Sequence, residues 1–259
     1  MRDTDGAARG TVLVVGATGS VGRHVVAEAI AQGWNTRALV RDASRATRLD
    51  PGAETVVGQL TDASSLATAV DGIDAVVFTQ GSPYGDTAAA EAVDYGAVKN
   101  VLAALAGRPV RVALMTSIGV TGRGATHDWK RRSERLVRSS GNSYTVVRPG
   151  WFDYNDADQL EITLLQGDTR QAGNSSDGVI ARAQIARVLV DSLSSEAADH
   201  LTFELVAERG PAQADLEPVF AALDKDARGS LDGIRDRANQ PLADEPDRVR
   251  ADLAAATSL

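Results

Sequence analysis

Residues 11–22 read Thr-Val-Leu-Val-Val-Gly-Ala-Thr-Gly-Ser-Val-Gly, and this stretch decides the fold. Residues 12–15 form an apolar run typical of a buried strand, and glycines follow at positions 16, 19 and 22. A residue without a Cβ lets the backbone turn tightly and bring its N–H groups against a pyrophosphate. The next apolar positions repeat at helical spacing, so a helix begins near Val21 and points its positive end at the phosphates. The stretch therefore predicts a dinucleotide site, with contacts from Gly16, Thr18, Gly19, Ser20, Val21, Gly22 and Arg23.

The composition suits one large α/β domain, or one domain with a small appendage. The chain has 259 residues, of which 43% are hydrophobic, and it contains no cysteine. The lack of cysteine excludes disulfides, thiolate zinc sites and a cysteine nucleophile. A formal net charge of −8 opposes non-specific attraction to nucleic acid. We therefore expect a small-molecule substrate and no nucleic-acid partner, and the oligomeric state (monomer or dimer) stays open.

The sequence shows no signal for a membrane or a metal. No apolar run approaches the ~20 residues of a membrane span, and the first residues carry no apolar signal region. We expect a soluble, cytoplasmic protein. Residues 224–229 start like a calcium loop, but arginines stand at two ligand positions, so no metal site is predicted. The basic cluster 130–132 is interpreted as a solvated helix face.

Predicted strands and helices alternate strictly through the first half of the chain. The predicted strands are 12–15, 36–40, 55–57, 75–79, 110–115 and 144–147, and the predicted helices start near 21 and cover 64–70, 91–106 and 128–139. This alternation predicts an α/β fold of the Rossmann type, a doubly wound parallel sheet with helices on both faces.

Beyond Gly150 the pattern loosens. Residues 155–176 are polar, a helix is predicted over 182–193, a strand over 201–206 and a helix over 216–223, and a charged tail follows. We therefore predict a dinucleotide-binding core over 1–150 and a small C-terminal substrate-binding segment over 151–259. This segment is expected to pack on the same domain, over the carboxyl ends of the strands, and to close the crevice where ligands bind.

The glycine spacing G-x-x-G-x-x-G, in the wording Gly-Ala-Thr-Gly-Ser-Val-Gly-Arg over 16–23, resembles the short-chain dehydrogenase/reductase superfamily. It is most similar to the atypical branch of NmrA-like NAD(P)-binding proteins. The resemblance covers residues 11–205. It implies hydride transfer between a nicotinamide cofactor and a substrate at the carboxyl edge of the sheet.

An arginine follows the second predicted strand, where NAD sites usually carry an acidic residue. Arg41 comes 19 residues after Gly22, and a guanidinium group can hold the 2′-phosphate of NADP with two hydrogen bonds. Asp42 would repel that phosphate if it turned inward. The resemblance favours the arginines, with Arg41 and Arg45 as a positive pair and Arg23 nearby. We predict NADP (as NADPH), and arginines on a plain surface loop are the alternative.

The resemblance implies further contacts to the cofactor and the substrate. Family members often carry Gly-Asp-Leu where this chain has Gly58-Gln59-Leu60. Gln59 and Leu60 therefore stand where the family contacts the adenine, with an amide in place of the aspartate. The other implied cofactor contacts are Thr79, Gln80, Gly81, Pro149, Gly150, Trp151 and Phe152. Residues predicted to face the substrate are Ser82, Tyr84, Trp151, Phe152 and Tyr154, and the Trp-Phe pair forms either an aromatic pocket wall or part of the core.

The catalytic residues of the family match only in part. Short-chain reductases use a serine after the fifth strand and a Tyr-x-x-x-Lys pair in the next helix, and the matching residues here are Ser117 and Lys130. The resemblance implies that Ser117 binds the substrate oxygen and that Lys130 binds the cofactor ribose. Thr126 stands where the tyrosine is expected. A threonine hydroxyl has a far higher pKa than a phenol and is a poor general acid.

Three interpretations of the missing tyrosine stay open. The acceptor is a quinone that needs little proton assistance, or another side chain donates the proton, or the protein is a non-catalytic NADP-binding redox sensor of the NmrA type. Candidate donors are Tyr84, Tyr154 and His127, although a histidine at a helix start is expected on the surface. We favour an NADPH-dependent oxidoreductase acting on a carbonyl or quinone-like substrate, such as an aromatic polyketide quinone.

Overall fold

The computed structural model describes residues 9–83 and 85–257. Its first strand is the apolar run that follows Gly10. Val12 and Val14 pack into the hydrophobic cluster on one face of the sheet, and Leu13 and Val15 pack into the cluster on the other. All four side chains are fully buried. Side chains alternate between the two faces of a strand, so a strand covered on both faces reads as one continuous apolar run.

Ten strands occur in the described residues. In chain order they are β1 Thr11–Val15, β2 Asn35–Val40, β3 Glu54–Val57, β4 Ala75–Phe78, β5 Arg111–Met115, β6 Ser143–Pro149, β7 Trp151–Phe152, β8 Glu161–Leu165, β9 Val179–Ile180 and β10 Leu201–Glu208. Eight of them form one sheet in the order β3-β2-β1-β4-β5-β6-β10-β8, and β7 pairs with β9. Neighbours in the large sheet are parallel except for β10 and β8. The first six strands have the doubly wound order of dinucleotide-binding proteins, which confirms the predicted fold.

Helices cover both faces of this sheet. In chain order they are α1 Gly22–Ala31, α2 Ala67–Val70, α3 Thr87–Ala89, α4 Gly96–Leu105, α5 Ala125–Ser139, α6 Arg182–Ser194, α7 Glu217–Ala221 and α8 Asp247–Thr257. Helices α1 and α6 pack together on one face, and α4, α5 and α8 pack together on the other. Across residues 9–83 and 85–257, no helix is both long enough and apolar enough to cross a bilayer.

Three elements differ from those predicted. The helix predicted over 91–106 is divided, because Ala90–Tyr95 winds as a π-helix before α4 begins. The polar stretch 155–176 contains the edge strand β8, whose one neighbour in the sheet is β10 and whose polar residues need no burial. The charged tail forms α8, in which Val249, Leu253 and Ala256 are buried at helical spacing.

The segment after Gly150 does more than cover the strand ends. It supplies β10 and β8 to the central sheet and α6 to one of its faces. The part that lies over the carboxyl ends is smaller, comprising residues 150–154 and a few residues between 171 and 182. Sheet and cover therefore share one hydrophobic core.

Candidate active site

The glycine loop between β1 and α1 has almost no room for side chains. Gly16 has a φ of +80°, and a Cβ there would lie 2.7 Å from the backbone nitrogen of Gln80. A Cβ on Gly22 would lie 2.1 Å from the carbonyl oxygen of Gly16. The N–H of Gly19 donates to that same oxygen over 2.8 Å and closes the turn. Only glycine fits at 16 and 22, so the backbone can approach a ligand closely.

The loop presents an unneutralised helix N-terminus at the edge of the sheet. Thr18, Gly19 and Ser20 are exposed, and Val21, the N-cap residue, is buried and gives no side-chain cap. The first turn of α1 contains no acidic residue and carries the exposed Arg23. Partial positive charge at a helix N-terminus favours anions, so these groups suit a pyrophosphate.

Two exposed arginines follow β2. Arg41 comes directly after the strand, and Arg45 lies in the 3₁₀-helix Ala43–Arg48. The carboxylate between them, Asp42, caps that 3₁₀-helix and accepts the N–H of Ser44 over 2.9 Å. This hydrogen bond holds the pKa of Asp42 below its ordinary value. Although Asp42 stays ionised, the two arginines leave residues 41–45 with a net positive charge, which suits a 2′-phosphate.

The ends of β3 and β4 contact neighbouring elements at the same edge of the sheet. The side-chain amide of Gln59 donates to the carbonyl oxygen of Arg41 over 3.3 Å, and the carbonyl of Leu60 accepts from Asn100. The hydroxyl of Thr79 donates to the carbonyl of Val15 over 2.9 Å, which joins the end of β4 to the end of β1.

Gln80, which follows, is buried, and its Oε1 has no hydrogen-bond partner among the described residues. Gly81, next in the chain, is exposed. A buried acceptor without a donor costs free energy, and a ligand or a water that donates to it removes that cost. The position of Gln80 beside Gly16 therefore fits a bound nucleotide.

A buried carboxylate holds Lys130 in place. The Nζ of Lys130 lies 2.9 Å from Oδ1 of Asp94, which is 3% exposed. Asp94 also accepts the backbone N–H of Ser82 over 3.1 Å and its hydroxyl over 2.6 Å. Asp94 lies in the π-helical turn, a feature that often marks functional positions. The sequence signal for Asp94 is weak: it is an acidic residue that follows two apolar ones in the predicted helix.

Ser117 follows β5 and lines the same cleft as Lys130. Its Oγ is buried, and no described residue forms a hydrogen bond with it. The preceding side chain points the other way, since the hydroxyl of Thr116 donates to Glu134 of α5 over 2.7 Å. The hydroxyl of Ser117 is therefore available to a substrate oxygen.

The first turn of α5 brings two more side chains to the cleft. Thr126 and His127 line it together with Lys130, because α5 begins at Ala125, three residues earlier than predicted. The side chain of His127 is partly exposed and faces this cleft at the start of α5. Burial, followed by the charge of Lys130, lowers the pKa of His127 below its ordinary value.

Aromatic side chains form one wall of the cleft. Pro149 and Gly150 are buried at the end of β6, and a Cβ on Gly150 would lie 2.5 Å from the carbonyl oxygen of Gly178. The rings of Trp151 and Tyr154 meet edge to face with centroids 6.3 Å apart, and the side chains are 38% and 67% exposed. Trp151 therefore belongs to the wall and not to the core.

Phe152 has both of the roles left open by the sequence. It lines the cleft, packs against the hydrophobic core, and lies under the guanidinium of Arg182, whose Cζ is 5.1 Å from the ring centroid. Tyr84, the remaining predicted substrate residue, lies outside the described residues.

The cleft has a volume of about 600 Å³, which suits a small organic substrate. The structure places these predicted site residues on its walls: Ser82, Ser117, Lys130, Pro149, Gly150, Trp151, Phe152 and Tyr154. The residues predicted to hold the rest of the nucleotide follow β1, β2, β3 and β4 at the same carboxyl edge. Arg123, Gln171, Asp177 and Arg182 also line the cleft and were not predicted.

Buried charges fix α5 beneath the cleft. Arg148, fully buried, forms ion pairs with Glu134 at 2.7 Å, Glu204 at 3.2 Å and Asp236 at 2.7 Å. Burial alone would raise the pKa of Glu134, but the guanidinium of Arg148 outweighs it and lowers that pKa to about 2. At Glu204 burial dominates and raises the pKa to about 7, because Arg148 opposes it only in part.

The prediction of a solvated basic face over 130–132 is wrong. Arg131 is 0% exposed and pairs with Asp232 at 3.0 Å, while Arg132 pairs with Glu245 at 2.7 Å. Arg135, one turn further on, contacts both of these carboxylates. The charged tail therefore neutralises the basic face of α5, a pairing that spans about a hundred residues of sequence.

Comparisons with known proteins agree with this architecture. Residues 16–196 match the family described as NAD(P)H-binding. Sanguinarine reductase of Eschscholzia californica is 24% identical over 261 residues, which cover 82% of this chain and 95% of the reductase. Photosystem II assembly factor Ycf39 of Cyanophora paradoxa is 28% identical over 212 residues, which cover 80% of this chain and 66% of that protein.

Among solved structures, a Bacillus halodurans protein assigned to the NAD-dependent epimerases/dehydratases has the same fold. It superimposes with a TM-score of 0.68 at 23% identity, over 83% of this chain and 100% of that one. The family match covers well over half of the chain, and the strand order and glycine turn agree with it. The chain therefore belongs to the NAD(P)H-binding family and has a Rossmann fold.

Proposed function

We propose that this protein is an NADPH-dependent reductase that transfers hydride to a carbonyl or quinone-like acceptor bound in the cleft. The observation that best supports this proposal concerns Ser117, which lines the same cleft as Lys130. Its Oγ is buried and has no hydrogen-bond partner among the described residues. A substrate oxygen that accepts from this hydroxyl removes the cost of leaving it unpaired.

Each side chain at the carboxyl edge has a role in this proposal. The turn at Gly16, Gly19 and Gly22 takes the pyrophosphate, and Gln80 offers its free acceptor to the same ligand. Lys130, oriented by Asp94, binds the nicotinamide ribose, and Ser117 holds the substrate oxygen. The bound cofactor supplies the hydride.

The choice of NADPH over NADH rests on Arg41 and Arg45. Both are exposed at the end of β2, and the neighbouring carboxylate of Asp42 is engaged by the N–H of Ser44. Two guanidinium groups match a 2′-phosphate in charge and in hydrogen-bond geometry. In NADH the same position carries a hydroxyl, which gains far less from them.

The aromatic wall favours a flat substrate. Trp151, Phe152 and Tyr154 offer ring faces and edges on one side of the cleft. A quinone also suits the absence of a tyrosine at position 126, because its reduced oxygen is a stabilised phenolate that water can protonate. We propose that the substrate is an aromatic quinone or carbonyl compound, such as a polyketide. We also propose a cytoplasmic location for the protein, which cell fractionation tests.

The second candidate is a non-catalytic NADP-binding sensor, favoured by Thr126 standing where the family's tyrosine is expected. One measurement separates the two. Consumption of NADPH and NADH is followed against a panel of quinones, ketones and aldehydes, with Ser117→Ala and Lys130→Ala as variants. Turnover that prefers NADPH and falls in both variants supports the reductase. Tight NADPH binding without turnover on any acceptor supports the sensor.

A further inference from the structure

We propose that His127 donates the proton to the substrate oxygen, in the role that the absent tyrosine would have. This inference rests on the proposed reductase function and names the missing proton donor of the same site. It begins from the placement of three residues on α5. Side chains three and four positions apart lie on one helix face, so both His127 and Thr126 flank Lys130. All three line the cleft with Ser117.

Of these groups, only the imidazole has suitable acid chemistry. The hydroxyl of Thr126 is too weak an acid, and Lys130 is held by its ion pair with Asp94. Imidazole titrates near neutral pH and is the most frequent general acid in enzymes. His127 is partly buried against the cleft, and no described residue forms an ion pair with it within 4 Å.

Other candidate donors in the described residues are less well placed. The phenols of Tyr95 and Tyr144 are buried, and they donate to Asp252 and Asp226 away from the cleft. Tyr154 is 67% exposed and stands at the outer part of the wall, edge-on to Trp151. His127 alone combines partial burial with a place beside Ser117 and Lys130.

The charges around His127 support the role. Lys130 lowers its pKa, in addition to the larger effect of burial, and Asp168 and Asp128 act in the opposite direction. Asp168 is fixed by the N–H groups of Gly119 and Thr121, and Asp128 is paired with Arg123. A lowered pKa makes the protonated imidazole a stronger acid, so a smaller fraction of His127 is protonated at pH 7 but each proton is transferred more readily.

The step balances with NADPH as the reductant. A hydride from NADPH forms the new C–H bond at the carbonyl carbon, and the π electrons of the carbonyl move to its oxygen. That oxygen, held by Ser117, takes the proton as the N–H bond of His127 breaks. His127 then takes a proton from water, and the oxidised nucleotide and the alcohol leave.

The test is the rate of NADPH oxidation in a single turnover, measured between pH 5 and 8 with an aldehyde or ketone and with a quinone. The variants are His127→Gln, with His127→Asn as a second substitution, and the control is His200→Asn. His200 contacts Asp199 and the ring of Tyr144 and does not line the cleft. Thermal melting and NADPH titration report whether each variant folds and binds.

We expect the variants at 127 to lose carbonyl reduction by about 100-fold or more, the usual scale of general acid catalysis. In the wild type the carbonyl rate should rise as the pH falls through the pKa of His127, and this rise should vanish in both variants. Quinone reduction and NADPH affinity should change by less than about threefold, since neither needs the proton. The His200→Asn control should keep both rates.

The inference is overturned if both variants keep the carbonyl rate and its pH dependence, or if the wild type reduces quinones alone. A wild type that binds NADPH and reduces nothing overturns the proposed function as well. The two failures are distinguished by the wild-type turnover, which is present in the first case and absent in the second.

Discussion

The Nζ of Lys130 lies 2.9 Å from Oδ1 of Asp94, and the same carboxylate accepts two hydrogen bonds from Ser82. A single buried side chain thus joins α5 to the loop after β4. Lys130 and Ser82 both line the cleft, so Asp94 sets both the position of the lysine and the shape of the loop. We treat Asp94 as a positioning residue that acts through Lys130.

Replacing Asp94 by asparagine should weaken nucleotide binding and catalysis without altering the shape of the site greatly. The amide removes the charge that orients Lys130, and a hydrogen bond to a charged group contributes about 1.5–3 kcal/mol. We expect kcat/KM to fall by about 10- to 100-fold, with a rise in the Kd for NADPH. Steady-state kinetics and nucleotide titration measure both.

The matched control for this change is Glu54→Gln. That residue pairs with Arg37 at the same 2.9 Å, at the start of β3 and away from the cleft. It should leave kcat/KM unchanged. Equal losses in the two variants would mean that Asp94 acts through folding stability alone.

Arg41→Ala should change the choice of nucleotide. If Arg41 contacts the 2′-phosphate, its loss removes a charged hydrogen bond, and the Kd for NADPH should rise by about 10-fold or more while the Kd for NADH changes little. Titration by nicotinamide fluorescence measures both constants. Arg48→Ala, a change at the far end of the 3₁₀-helix that follows Arg41, is the control and should change neither. A loss of equal size for both nucleotides would contradict the assignment.

The sequence predicts best what depends on neighbouring residues. The continuous apolar composition of β1 and the glycines at 16 and 22 each have a local physical cause, which is burial on both faces and the absence of space for a Cβ. The strand order followed from the alternation of strands and helices. Ser117 and Lys130 were predicted from the resemblance to short-chain reductases, because each stands where that family carries its serine and its lysine, and both line the cleft.

What the sequence did not predict depends on contacts between distant residues. The pairing of Arg131 with Asp232 joins positions about a hundred residues apart, and no local pattern distinguishes it from a solvated charge. The π-helical turn that directs Asp94 at Lys130 has no sequence signature of its own. The edge strand β8 was not predicted, because it is a short strand with one buried side chain inside a polar stretch.

The tail carboxylates should contribute strongly to stability. Glu245→Ala leaves the buried Arg135 and the largely buried Arg132 without that partner, and removing one side of a buried ion pair costs about 3–5 kcal/mol. Urea denaturation measures the change in the free energy of unfolding. Glu91→Ala removes an exposed pair with Arg248 and should cost less than about 1 kcal/mol. Losses of similar size in both variants would show that the tail does not stabilise α5.

Glu204 should make stability depend on pH in a defined window. Burial raises its pKa in the folded protein to about 7, compared with an ordinary value of 4.5. Between these two values the folded protein keeps a proton that the unfolded chain has released, so the free energy of unfolding falls as the pH rises from about 4.5 to 7. The full effect is on the order of 3 kcal/mol.

Glu204→Gln should remove this slope, because the amide does not titrate. In the wild type, one oxygen of Glu204 accepts from Arg148 and the other accepts from the N–H of Asp168. The variant replaces one of these oxygens by an NH₂ group, and the resulting loss of stability should be the same at every pH. The lowered pKa of His127 acts in the opposite direction below its ordinary value of 6.5, so the two effects partly cancel in the wild type. The difference in the free energy of unfolding between wild type and variant therefore reports the titration of Glu204 alone. The measurement is urea denaturation at pH 5, 6, 7 and 8. The free energy of unfolding of the variant should rise relative to that of the wild type up to about pH 7 and not beyond. A constant difference across this range would place the pKa of Glu204 outside the window.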